Sequence, residues 1–327
     1  ASDVYKRQIF LLHNSSGKLN GVKESIFMEN IKDYSGRWRW NMVNDFRPQS
    51  IEYSGIKCYP TANYVNYYGM QNGYPINDMT KADAESGYDP THPWKNRDPR
   101  FYKTIMFDGV KWKSTGGAGG TAELFTGGRE SEEANEKKGC FTAYMNSKLC
   151  PQLMNTVDGY KENNIMILSL MRLADVYLMY AEATAVGYNG PKGKAATYSL
   201  TAEEALNKIR ERAGVAPVLD KFLGSTADFL SELRRERAVE LSFEGFRFID
   251  LRRWMLLTQY PYTLKTKIEF DRADPSDYNY DEPEENAIKN LREVVLLERK
   301  YTDRHYWYPL PKKDVSMYEG FYQNPGW

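Results

Sequence analysis

Read for the spacing of its apolar positions, the chain falls into two parts. Before about residue 160, large side chains are scattered among Gly, Asn, Asp and Pro; after it, they recur at helical spacing. The longest apolar stretch, IMILSLMRLADVYLMYAEATAVG at 165–187, is apolar nearly all round and predicts one buried helix ending at Gly187. YSLTAEEALNKIRERAG predicts a helix over 201–213. Thr201 and Glu204 stand at capping-box spacing, Ala205, Ile209 and Ala213 share a face, and Gly214 closes the helix. In GSTADFLSELRRERAVELSFEGF, Ser225 or Thr226 caps a third helix with a stripe through Leu230, Leu233, Arg237 and Leu241. Gly245 interrupts, and FRFIDLRRWMLL predicts a fourth helix. The pairs 165–187 with 201–213 and 226–244 with 246–257 read as successive hairpins, which Ala174, Ala181, Ala183 and Ala205 allow to pack closely.

The first part offers one regular element. In FYKTIMF-DG-VKWKS, at 101–114, two β-prone runs flank Asp108-Gly109, which predicts a β-hairpin with a type I′ turn. The Gly-rich stretch at 114–120 then reads as a flexible loop. The expected fold is therefore mainly α: tetratricopeptide-like helical hairpins (an α/α superhelix), long aromatic-rich loops and a small β-hairpin. Residues 1–8, ASDVYKRQ, fit nothing that follows and read as a scar, so the chain reads as a fragment without its original N-terminus. Residues 9–160 are expected to be a loop-rich ligand-binding region, and 161–327 the helical region of the same domain.

Charge is concentrated in RRERAVELSFEGFRFIDLRRW, 234–254, where six arginines sit among four acids. On a helix Arg237 reaches Glu240, and Asp250 reaches both Arg247 and Arg253. This pairing predicts a structural lattice, with arginine stems lying along Phe243, Phe246, Phe248, Ile249, Leu251 and Trp254. A helix for nucleic acid would leave its arginines free for phosphates. With 44 basic and 44 acidic residues the whole surface is not built for nucleic acid either. Arg172 and Asp175 read as a further helix pair that marks folding.

Catalytic chemistry is not legible. The histidines are His13, His92 and His305, and no HExxH, GxSxG or P-loop occurs. GAGGTA at 117–122 fits GxGxxA, but no strand leads in and no apolar helix follows, so it reads as a loop. Cys58, Cys140 and Cys150 form no CxxC; pairing of Cys140 with Cys150 stays open. No stretch is apolar enough to cross a membrane, and Ile9–Leu12 is too short for a signal-peptide core. The expectation is a protein that is not an enzyme, with no cofactor and no metal.

Five stretches, RDPRFYKTI (97–105), MRLADVYLMYAEA (171–183), ALNKIRERAG (205–214), ERAVELSFEGFRFIDLRRW (236–254) and YWYPLPKKDV…QNPGW (306–327), stand in the order found in one family. Together the chain resembles the C-terminal part of a SusD/RagB-like nutrient-binding outer-membrane lipoprotein. The resemblance implies tetratricopeptide-like hairpins. It also implies a protein on the outward-facing surface of the cell outer membrane, held by a lipid anchor that this sequence lacks, with no other membrane contact. Its implied partners are an oligosaccharide or peptide ligand and a TonB-dependent transporter barrel. The competing reading is a helical-repeat scaffold for a protein partner.

Composition points to where a ligand would bind. The chain has 25 Tyr and 7 Trp against 14 Phe, an excess of rings with a polar tip. A sugar ring has an apolar C–H face and a hydroxyl edge, so it needs an aromatic platform with polar groups beside it. The candidates are Trp38 and Trp40 in RWRW, Tyr64, Tyr67, Tyr68 and Tyr74 in ANYVNYYGMQNGY, and Trp94 in THPW. Asp45, Arg47, Asn66, Gln71, Asn72 and Asp78 are the expected polar companions. YWYPLP and the terminal NPGW read as structural, with Trp327 tucked into a groove.

Overall fold

The computed structural model describes residues 23–31, 59–112, 117–148 and 166–327, so Trp38, Trp40, Asp45, Arg47, Cys58 and Cys150 lie outside the described residues. The described part is mainly helical, with a few small sheets. Among the described residues no helix is long and apolar enough to cross a membrane.

Three helices form the main layer. Helix α3 (Leu173–Gly187) packs on both α4 (Ala202–Ala213) and α5 (Thr226–Glu240). Alanines hold the seam close: Ala181, Ala185, Ala202 and Ala205 pack with Leu206, Phe229 and Leu233. The local signals for these helices hold. The Thr201 hydroxyl accepts from the Glu204 amide at 3.2 Å, and the Glu204 carboxylate accepts from the Thr201 amide at 2.7 Å. Gly214 closes α4 with φ 75°, Ser225 caps α5, and Gly245 with φ 89° turns the chain into α6 (Phe246–Arg253).

Two predicted elements are different. The stretch from 165 is not one helix: Met166–Arg172 is a strand, β4, paired antiparallel with β1 (Ser25–Ile31). A short apolar run fits a strand as well as a helix turn, and here the partner, far away in sequence, decides. Arg172 is extended, at φ −139° and ψ 162°, and α3 begins only after it. Nor is α3 buried all round. Ala174, Leu178, Ala181 and Ala185 face inward, whereas Leu173, Met179 and Val186 are exposed.

The hairpin across Asp108-Gly109 does not form. Phe101–Thr104 belong to a short helix, α2 (Pro99–Thr104), opened by the Asp98 side chain accepting from the Arg100 amide. Strand β2 (Ile105–Met106) pairs instead with β3 (Met145–Asn146), and Lys111 bridges to Thr121. The turn itself is real, and it needs glycine twice over: Gly109 has φ 82°, and a Cβ there would lie 2.4 Å from the Tyr278 hydroxyl. The long hairpin of the fold is β5 (Leu264–Arg272) with β6 (Ile288–Glu298), against which α1 (Ala62–Val65) packs. Beneath it lies an aromatic core in which Trp94 stacks on Phe107 at 4.9 Å and meets Phe270 edge-on at 5.3 Å. Cys140 is a buried free thiol.

Candidate functional site

One face of α5 and the residues after it carries Glu232, Glu236, Glu240 and Glu244, four residues apart and therefore in one row. All four side chains are nearly inaccessible. Like charges in a row cannot neutralise one another, so cations from other elements are drawn in. Arg210 reaches Glu232 and Glu236, the latter at 2.9 Å. Arg100 reaches Glu236, and Glu240 at 3.0 Å. Arg172 joins Glu240 and Glu244 at 2.7 Å each, Arg212 joins Glu240 at 2.5 Å, and Lys148 joins Glu244 at 2.6 Å. Burial alone would raise the carboxyl of Glu236, but Arg100 and Arg210 outweigh it and hold it at about 2. The same competition leaves Glu232 and Glu244 below the usual carboxylate range.

The arginine-rich stretch is a lattice in part: Arg235, Arg237 and Arg253 make ion pairs, whereas Arg234, Arg247 and Arg252 make none among the described residues. Arg237 pairs with Asp175 at 2.5 Å and Asp250 at 2.7 Å instead of Glu240. Arg172 pairs with Glu24, Glu240 and Glu244 instead of Asp175. Of the four local pairs read from the sequence, only Asp250 with Arg253 forms, at 2.9 Å. Arg247 makes no ion pair among the described residues; its guanidinium lies 4.8 Å over Tyr67 and 5.5 Å over Tyr262.

The predicted platform residues divide by burial. Trp94 and Tyr68 are 0% exposed, their faces filled by core rings, and the Tyr68 hydroxyl is bonded to Ser242 at 2.7 Å. Trp94→Phe is therefore expected to cost about 2 kcal/mol of stability and leave ligand affinity unchanged, checked by urea unfolding beside a binding titration. Tyr64 is half-buried and donates to the Ala238 carbonyl at 2.6 Å. Tyr67 and Tyr74 are also half-buried, with the Lys221 ammonium 4.4 Å over Tyr74. Their loop is fastened to α5 by Arg235, which donates to the Tyr67 carbonyl at 2.9 Å and the Gly73 carbonyl at 3.2 Å. Of the polar companions, Asn72 is used on the Ser86 carbonyl at 2.9 Å and Asp78 is paired with Lys81 at 2.8 Å.

From Tyr67 a chain of rings and guanidinium groups continues that the sequence reading did not assemble. Beyond Tyr262, Arg299 donates to the Tyr262 carbonyl at 2.5 Å and lies 5.1 Å over Tyr301. Phe248 connects Tyr301 to Arg252, which lies 4.1 Å over Tyr308. His305 connects Tyr301 to Trp327, which Arg304 covers at 4.7 Å. The far end is open: Trp307 is 60%, Tyr308 63% and Trp327 44% exposed. Trp327 does pack, donating to the Arg304 and Trp307 carbonyls at 3.0 and 3.2 Å, yet one side of it faces solvent. The available signals were the ring-rich triplets YPY and YWY, the second just after Arg304. Among the described residues no group of His, Cys, Asp and Glu is placed to hold a metal ion.

The SusD_RagB profile of the SusD family matches residues 23–327, and the chain belongs to that family. Its fold is similar to that of a SusD-like protein from Bacteroides fragilis, with a TM-score of 0.70 and 21% identity over 100% of this chain and 58% of the other. A SusD-like carbohydrate-binding protein from Bacteroides fragilis is similar at a TM-score of 0.63 and 20% identity, over 94% of this chain and 57% of its own. The chain thus spans less than two thirds of the length of these solved relatives. No curated protein matches it.

Proposed function

We propose that the protein is a non-enzymatic surface module that captures an oligosaccharide, working with a TonB-dependent transporter at the outer face of the outer membrane. The observation that carries this reading is the ladder of half-open rings and guanidinium groups from Tyr67 to Trp327, beside a scaffold whose buried glutamates are all paired. Membership of the SusD family, and the carbohydrate-binding description of one solved relative, support it. The layer α3–α5 is read as the tetratricopeptide-like part, which gives the rings a stiff backing. The ligand residues proposed are Tyr67 and Tyr74 on the clamped loop, Tyr262 and Tyr308 on the ladder, and Trp38 and Trp40 from the preceding segment.

A ring stacks on the C–H face of a sugar and excludes water from it, while a neighbouring guanidinium donates to oxygens at the sugar's edge. Nothing in such a site needs a proton to be moved. The test is calorimetry against a panel of polysaccharides and peptides. Tyr308→Ala, at a 63% exposed ring, is expected to weaken glycan binding by about tenfold without changing the melting temperature, as loss of one stacking face implies. A folded protein that binds no member of the panel would remove the reading.

A further inference from the structure

Most described arginines pair with a carboxylate; Arg97, buried on the carbonyls of Val65, Tyr68 and Pro93, and Arg234, over Trp254, do not, and both lie apart from the ladder's rings. The arginines facing the glutamates of α5 are neutralised. Arg247, Arg252, Arg299 and Arg304 are not: among the described residues none of them pairs with a carboxylate, although Glu298 and Asp303 adjoin Arg299 and Arg304 in sequence. Each instead lies over a ring, and three bond a carbonyl: Arg252 Nε to Tyr306 at 3.0 Å, Arg299 Nη2 to Tyr262 at 2.5 Å, Arg304 Nη1 to Gly326 at 3.4 Å. A π face attracts a cation but does not cancel its charge as a carboxylate does. Four positive groups are thereby gathered along one continuous surface of a chain whose formal net charge is zero. Their chemistry is one-sided. Guanidinium groups donate and never accept, so the ladder offers donors and ring faces but no charged acceptor. A neutral sugar hydroxyl accepts such a bond with charge on one side only. A carboxylate or sulfate, which only accepts, gains strong charge-assisted bonds from each free guanidinium edge.

We propose that the ladder from Arg247 to Arg304 selects an acidic glycan, one bearing carboxylate or sulfate groups. The inference rests on the capture reading above and names its ligand class. Each guanidinium lies over a ring, and in Arg252, Arg299 and Arg304 one edge is also fixed on a carbonyl. The rings beside them, Tyr308 and Trp327, take the sugar faces.

The experiment is calorimetry of the chain with oligogalacturonate, with the same oligosaccharide fully methyl-esterified, with chondroitin sulfate oligosaccharides, and with single-stranded DNA as a polyanion lacking pyranose rings. The expected result is binding of the free acid or the sulfated chain at least about tenfold tighter than the methyl ester, weakening as salt rises. Oligogalacturonate, which has carboxylates only, binding as tightly as chondroitin sulfate, which has both groups, identifies the carboxylate as sufficient. Arg304→Gln, on the exposed end, is expected to cost about tenfold for the acidic ligand and nothing for the ester, with Arg304→Lys restoring most of it. Arg299→Gln repeats the test from the other edge, with circular dichroism confirming that both variants fold. Ester and acid bound equally would overturn this inference and leave glycan capture standing. DNA bound as tightly as the acidic glycans would overturn it as charge attraction alone. No binding of any glycan by the folded chain would remove both readings.

Discussion

Replacing Glu240 by alanine is expected to lower the unfolding free energy by about 3–5 kcal/mol, seen as a fall in the urea midpoint. Glu240 is 0% exposed and accepts from Arg100, Arg172 and Arg212 at once. The cost comes less from the bonds lost than from three buried positive groups losing the carboxylate they share, with only Asp98 and Glu236 left to Arg100, Glu24 and Glu244 to Arg172, and Glu24 to Arg212. These three reach the site from α2, from the end of β4 and from α4, so the same substitution unpins three elements together. A control from the surface sharpens the comparison. Arg292, 69% exposed, pairs with Glu269 across β5 and β6. Arg292→Ala is expected to change stability by less than about 0.5 kcal/mol, since an exposed pair competes with water and counter-ions. Equal effects at the two sites would show that water enters the α5 row, and the lattice would no longer count as buried.

Acid is expected to undo the same row. The carboxyl of Glu236 lies at about 2 when folded against an ordinary value of 4.5, and those of Glu232 and Glu244 are also lowered. Groups depressed by folding give stability that is complete above about pH 4.5 and is lost as the pH falls through that value toward 2. Glu236 alone carries about 3 kcal/mol in that window, and its two neighbours add to it in the same direction. Denaturant midpoints measured between pH 6 and pH 2.5 should hold steady at first and then drop steeply below about 4.5. A flat profile down to pH 2.5 would contradict the depressed carboxyl of Glu236.

What the sequence made legible was whatever depends on neighbours along the chain. Thr201 with Glu204, Gly214, Ser225 and Gly245 set their helix ends by local geometry, and each does so as read. What depended on distant partners was missed. Residues 166–172 are a strand because Ser25–Ile31 lies beside them, and nothing within the stretch states that. The arginines of 234–254 were matched to acids one turn away, yet Glu232, Glu236 and Glu240 share a face with each other, so their cations had to come from elsewhere. The aromatic loop held a similar clue. Tyr64 and Tyr68 are four apart at a helical turn and both point inward, while Tyr67, between them, turns toward Arg247. Trp94 gave no such sign: a lone tryptophan after proline looks the same in a core as on a platform, and this one went to the core. The ladder was invisible for the opposite reason, since its members come from four separate stretches joined only by the fold.

The clamp that Arg235 places on the carbonyls of Tyr67 and Gly73 has a consequence for how such a protein changes over time. The grip is on main-chain oxygens, which every residue possesses, so it holds whatever side chains stand at Gln71 and Tyr74, while Asn72 adds its own tie to the Ser86 carbonyl. A lineage could accumulate replacements at Gln71 and Tyr74 with the helices underneath left unaltered.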